Sequence, residues 1–167
     1  MGWDAVRVGA AWLAAGFVFG SFVEYWGHRA MHKVRWLGTV HVEHHARGTG
    51  QGVALEYLDY LKGTWWMMWP PFLLSLPAGV GWLIGANAFA LFSAYAHQLQ
   101  HVKPDKVFWM PMPIHYVHHS LNQWHHNFGM AVDIWDRVFG TYKPLEWNEA
   151  EPPSRPRAAL AVRQSTD

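Results

Sequence analysis

The chain's twelve histidines are the residues best suited to chemistry, and all of them fall in two stretches, 28–45 and 97–126. Each stretch opens with a pair spaced i, i+4 (His28 and His32; His97 and His101). A triplet spaced i, i+3, i+4 follows (His41, His44, His45; His115, His118, His119). Residues three and four apart on an α-helix share a face, at about 5–6 Å between Cβ atoms, so each pair or triplet is expected to aim its imidazoles at one point. Imidazole is the commonest metal ligand in proteins, and ten such side chains exceed what one ion can hold. The pattern therefore predicts two metal ions. An isolated pair would be read as ordinary core or surface histidines, but four motifs in a repeated order, with an apolar stretch between the halves, point to a shared purpose. No run of six suggests an affinity tag.

Composition places these motifs in a membrane protein. The 167 residues suit one domain, and a hydrophobic content of 51% with twelve tryptophans departs from the charged surface of a soluble protein. The mean hydropathy of −0.08 reflects the histidines and tryptophans and hides long apolar runs. With no cysteine, a disulfide, thiolate haem, iron–sulfur cluster or cysteine-based zinc site is excluded. The basic residues are scattered, which leaves nucleic acid without support as a partner.

The elements that must position the histidines follow from the apolar runs. Val8 to Val23 carries no charge and, extended through Trp26, matches one bilayer crossing of about 20 residues. His28 and His32 are expected at the end of this first membrane helix, which is read as an anchor rather than a cleaved signal. The first triplet is expected on a short helix ended by Gly48, Gly50 and Gly52. In "VALEYLDYLKG", Leu55, Leu58 and Leu61 oppose Glu56, Asp59 and Lys62, which suits an amphipathic helix lying in the interface, with a plain core helix as the alternative. Trp65, Trp66 and Trp69 form an aromatic belt. Thr64 to Ala96 is uncharged and interrupted by prolines and glycines, and predicts a helical hairpin turning near 77–81. The second histidine set then returns to the side of the first. Twelve of the thirteen Lys and Arg residues lie on that side, which predicts that it is cytoplasmic. Pro113 is expected as the first residue of the helix bearing the second triplet, and Gly140 as the stop of a helix through "DIWDRVF". The fold class is thus all-α: an integral membrane helical protein with one N-terminal membrane helix, a helical hairpin and a cytoplasmic-side helical cap carrying the histidines. Residues 1–145 form the membrane domain, and the Pro- and Arg-rich segment 146–167 is expected to be a disordered tail.

HxxxH followed by HxxHH, an apolar hairpin, a second histidine pair, and HxxHH leading into "NFG" and "WDRVFGTYKP" resembles the fatty acid hydroxylase and sterol desaturase superfamily over about residues 20 to 145. The resemblance implies a membrane non-haem di-iron oxygenase that hydroxylates a lipid C–H bond, an acyl chain in preference to a sterol, with desaturation by the same family as the alternative. It makes His28, His32, His41, His44, His45, His97, His101, His115, His118 and His119 the metal ligands. His125, His126 and Asn127 become neighbours that orient a ligand. It further implies two Fe ions, with zinc able to replace them on purification, O2 as co-substrate, and a separate electron-donor protein. Asp136 and Arg137 read as a structural surface pair or helix-end contact. Among readings from other classes, a membrane metal transporter or metal-binding protein would hold its ions nearer the midplane than these helix-end histidines. A bis-histidine haem needs two ligands rather than ten. A zinc hydrolase would need HExxH, and Glu43 stands at a different spacing.

Overall fold

Among residues 2–146, which the structure, a computed structural model, describes, the chain is helical with no strand. The α-helices are α1 (Trp3–Lys33), α2 (Arg35–Arg47), α3 (Val53–Thr64), α4 (Leu76–Val102), α5 (Ile114–Ser120) and α6 (Ile134–Val138). Short 3-10 turns cover Trp65–Met68, Pro70–Leu73 and Pro104–Lys106. The all-α expectation holds. The expected tail lies outside the described residues from 147 onward. Two compact units divide the chain: the residues up to Val23 with Gly52–Tyr95, and Glu24–Gln51 with the residues from Ala96 onward.

The first unit contains the apolar parts of α1 and α4, the two helices long and apolar enough to cross a membrane. At a rise of about 1.5 Å per residue they are roughly 46 and 40 Å long, more than the hydrocarbon core of about 30 Å requires. Only 11% of the apolar window of α1 is buried, unlike the core helix of a soluble protein and as suits a helix surrounded by lipid. Glycines bring the two helices together. A Cβ on Gly81 would lie 2.1 Å from the Gly9 carbonyl oxygen, and one on Gly85 would lie 2.0 Å from that of Leu13. Gly16 faces the backbone of Trp82 and Ala86, and Gly20 the Phe89 ring, so numbers rise together and the helices run parallel. This is the small-residue packing that replaces the hydrophobic drive where the surroundings are already apolar.

The hairpin is present, but its turn lies earlier than expected. Tyr57 donates to Asn87 Oδ1 (2.7 Å) and Trp82 Nε1 to the Met67 carbonyl (2.9 Å), so α3 and the following 3-10 turn run antiparallel to α4. Pro70 and Pro71 start the reversal, whereas Pro77 sits in the first turn of α4, where its missing N–H costs nothing. Gly79 and Gly81, which a sequence reading takes as breakers, are packing sites. In α3, Leu55 and Leu58 are 55% and 47% exposed, as an interfacial helix with its leucines toward lipid requires, and Asp59 and Lys62 are exposed too; of the charged residues set opposite the leucines, Glu56 alone is buried.

The second unit holds the histidine stretches. Val34, extended at φ −107°, separates α1 from α2. The corner needs Gly38, whose added Cβ would stand 2.4 Å from the Met31 carbonyl oxygen. Gly48, in the left-handed region at φ 62°, ends α2 as predicted by donating to the His44 carbonyl at 2.8 Å. Pro113 caps α5 instead of starting it, and Gly140 follows α6 at φ 67°. Met110, Met112, Ile114 and Val117 form a core against which Trp109 packs.

Replacing Gly85 by Leu should force the first unit's helices apart and lower the thermal midpoint in detergent, by the equivalent of about 1–3 kcal/mol for overpacking. Gly63, with nothing within 4 Å of an added Cβ, is the control, and Gly63→Ala should be neutral or stabilising. A Gly85→Leu protein that melts like wild type would refute the close approach.

Candidate metal centre

All ten paired and triplet histidines meet within the second unit, in two groups. His28, His32, His41, His45 and His118 bring ring nitrogens within 4.8 Å of one another, and so do His44, His101, His115 and His119. His97 stands beside the second group, its Nε2 3.2 Å from those of His44 and His101. In the first group the Nε2 separations are 3.1 Å for His28 to His41, 3.2 Å for His28 to His32 and 2.8 Å for His32 to His41. His118 lies 3.0 Å from His32 and 3.1 Å from His45. Two nitrogens bound at about 2.1 Å and at right angles around one ion stand about 3.0 Å apart, against about 3.4 Å at the tetrahedral angle. The separations suit ligands of a common ion, and the five histidines of the first group exceed the four of a closed tetrahedral structural zinc site.

The triplets do not each aim at one point. His41 and His45 enter the first group and His44 the second; His115 and His119 enter the second and His118 the first. Helical geometry explains the correction. At about 100° per residue, positions i and i+4 lie some 40° apart, while i+3 lies about 60° to the other side. Each stretch therefore lends its middle histidine to the other's group.

Hydrogen bonds fix which nitrogen faces inward. His28 Nδ1–H donates to the Phe128 carbonyl, and His118 Nδ1–H donates to that of His126 (2.7 Å). Carbonyls only accept, so in the neutral rings the Nε2 atoms carry lone pairs. Those lone pairs face other imidazole nitrogens about 3 Å away, an arrangement a cation satisfies and mutual hydrogen bonding cannot. His119 adds a second sign, since both of its ring nitrogens are buried without a hydrogen-bond partner.

The supporting shell differs from the sequence expectation. His125 is exposed and His126 half-exposed, and neither ring belongs to a group; His126 acts through its carbonyl. Asn127, at φ 59°, accepts from Lys143 N–H (2.9 Å) and donates to Lys143 O (3.0 Å) and Gln123 Oε1, so it fastens the loop between the two carbonyls. Asp136 is fully buried rather than on a surface pair. It accepts from the Phe128 and Gly129 amides (2.8 and 2.7 Å) and from the Thr141 hydroxyl (2.7 Å), while Arg137 pairs with Asp133 at 2.7 Å. Sequence reasoning missed Gln100 and Glu24. Gln100, buried between His97 and His101, accepts from the His115 N–H (2.8 Å) and donates to the Met130 carbonyl. Glu24 accepts from the Met130 and Ala131 amides at 2.8 and 3.2 Å. Its position one helical turn before His28 was the available signal.

Burial, then the charge of neighbouring imidazoles, lowers His41 to about 2; burial first also lowers His118, to about 4. The same causes push His45, His115 and His119 well below the usual imidazole range. Neutral rings with free lone pairs are the form that binds metal. For Asp136, burial raises the pKa against the pull of its three donors.

A helical membrane protein with two such histidine groups is the class that fold and site define. The model of the fatty acid hydroxylase family matches residues 13–141, and the chain belongs to that family. It is 28% identical over 137 residues to an alkylglycerol monooxygenase of Xenopus tropicalis, covering 80% of this chain and 30% of that protein. It is also 26% identical over 141 residues to a protein of Dictyostelium discoideum named for methylsterol monooxygenase activity, covering 77% of this chain and 50% of the relative. The chain thus spans half the length of these relatives or less. No solved structure matches it.

The lowered histidine pKa values set an acid limit for the metal-free protein. An unfolded imidazole takes up its proton as pH falls through about 6.5. Folded His118 resists protonation until about 4 and His41 until about 2, so their stabilising contribution is complete above 6.5 and is lost progressively down to those values. Each such ring weakens the fold by up to about 1.4 kcal/mol per pH unit in that window. Thermal melts in detergent should fall between pH 6.5 and 4.5, and a flat profile there would refute the burial of neutral rings.

Proposed function

We propose that this chain is an integral membrane monooxygenase that oxidises a lipid C–H bond with dioxygen at a di-iron centre. The first ion is held by His28, His32, His41, His45 and His118. The second is held by His44, His97, His101, His115 and His119. The observation that carries this reading is the convergence of Nε2 atoms about 3 Å apart in two buried groups. When bound, iron supplies the redox capacity to activate dioxygen, which imidazoles lack and zinc does not replace. The chain's own part is to hold the donors neutral, fix their inward nitrogen through the Phe128 and His126 carbonyls, and keep water out with Phe128, whose ring packs on His28 and His32.

The reaction we infer is hydroxylation, RH + O2 + 2e⁻ + 2H⁺ → ROH + H2O, with the electrons delivered by a separate electron-donor protein. A flexible acyl or alkyl chain is the favoured substrate over a ring. The alkylglycerol relative is named for a chain-bearing lipid, and a chain can stay partly in the bilayer while one carbon reaches the site. Labelled dioxygen tests this with two readouts. Expressed with iron and an electron donor, wild type should place ¹⁸O in a lipid hydroxyl and His119→Ala should abolish it. Purified wild type should hold two ions, with His44→Ala and His118→Ala each reduced to about one. A new double bond without label would favour desaturation. Unchanged metal content in both variants would refute the ligand set.

We also infer that the histidine-bearing ends of α1 and α4 face the cytoplasm, from Arg29, Lys33, Arg35, Arg47, Lys103 and Lys106 beside them and Arg7 alone near the other end of α1. Protease added outside intact cells should then leave the 48–52 linker uncut. Cleavage there from outside would reverse the assignment.

A further inference from the structure

Beside the first histidine group the second unit carries an open concavity of about 490 Å³, lined by residues 121–126 and Lys143. Trp124 belongs to that lining and is half-buried. It also packs edge to face on His32, with ring centroids 4.3 Å apart, and lies 5.4 Å from His45. One indole therefore joins the outer surface to two members of the first group. The remainder of the lining supplies cation and donors. Lys143 and His125 are exposed, His126 is half-exposed, and among the described residues no acidic side chain lines the concavity. The base is stiff, because the Asn127 side chain ties Gln123 to both backbone groups of Lys143.

We propose that this concavity is the docking surface of an acidic one-electron carrier protein, and that Trp124 is the contact through which the docked carrier reaches His32 and His45. The inference rests on the di-iron reading above. Charge complementarity selects the partner: a described lining with the Lys143 ammonium, imidazole hydrogen-bonding groups and no carboxylate suits an acidic loop and steers its approach. With iron held by the first group, each encounter would pass one electron from the reduced carrier to a ferric ion, which would become ferrous. No bond forms or breaks, Trp124 ends as it began, and two encounters deliver the two electrons that hydroxylation consumes.

The test uses the full chain loaded with ferric iron in detergent, mixed with a pre-reduced acidic [2Fe–2S] ferredoxin while ferredoxin oxidation is followed by stopped flow. Small cationic reduced methyl viologen is the control reductant. For wild type the ferredoxin rate should fall steeply with added salt. In the Lys143→Glu/His125→Glu double variant it should fall about tenfold with iron content unchanged and the viologen rate within about twofold of wild type. Trp124→Leu should slow ferredoxin oxidation while keeping its salt dependence. Equal ferredoxin rates in wild type and the double variant would overturn the proposal. So would a wild type reduced by viologen but not by ferredoxin. Anionic vesicles that bind through these residues while ferredoxin kinetics stay unchanged would assign the face to lipid headgroups and equally overturn it. A wild type that retains no iron would instead overturn the di-iron reading itself.

Discussion

Lone pairs of buried neutral imidazoles repel one another when aimed at a common point, and the second unit is built around holding them there. Nε2 atoms about 3 Å apart cannot all be satisfied by one another, because each N–H satisfies a single acceptor. Each unsatisfied buried polar atom costs about 1–3 kcal/mol. A cation would turn that cost into attraction. Until one binds, the arrangement must be imposed by covalent connection and by the hydrogen bonds of the surrounding shell.

That shell has a short chain of command. Asp136, through its two oxygens, holds the amides of Phe128 and Gly129. The Phe128 carbonyl then points at His28 Nδ1, and the His126 carbonyl, one residue before Asn127, points at His118 Nδ1. Asn127 occupies the left-handed region that places these carbonyls, a conformation asparagine adopts more readily than most residues. Glu24 from α1 and Gln100 from α4 fasten the next residues, Met130 and Ala131, to the helices that carry His28 and His101. The loop 127–131 is in this way a template that tells two imidazoles which nitrogen to present.

What was legible in the sequence was whatever depends on periodicity or local stops. The histidine spacing, the Gly48 cap, the apolar run of α1 and the stop near Gly140 all appear as read. Partner-dependent features did not. Gly79 and Gly81 look like turn residues until Phe72 and the Gly9 carbonyl are placed against them. Asp136 beside Arg137 looks like a surface pair, because nothing local says that its acceptors are met by amides seven and eight residues upstream. Gln100, inside "HQLQH", was hidden by the histidines on either side of it.

The exchange of His44 and His118 changes what the repeated motif means. Two copies of HxxxH and HxxHH suggest two sites, each made by its own stretch, and the structure arranges them otherwise. With the middle residue of a triplet about 100° from its last residue, the two rings leave the helix in diverging directions, and here they enter different groups. The solution is for α2 and α5 to face each other and trade one ring apiece. The last members of the two triplets, His45 and His119, meet at the seam and stack at 3.9 Å with an interplanar angle of 13°. Neither group is then complete without the other stretch. The first group depends on α5 for His118, and the second depends on α2 for His44, although more than fifty residues separate the two helices in the chain. Assembly of either group therefore requires the loop closure that brings both stretches together, so the two groups should form in one cooperative step rather than one after the other.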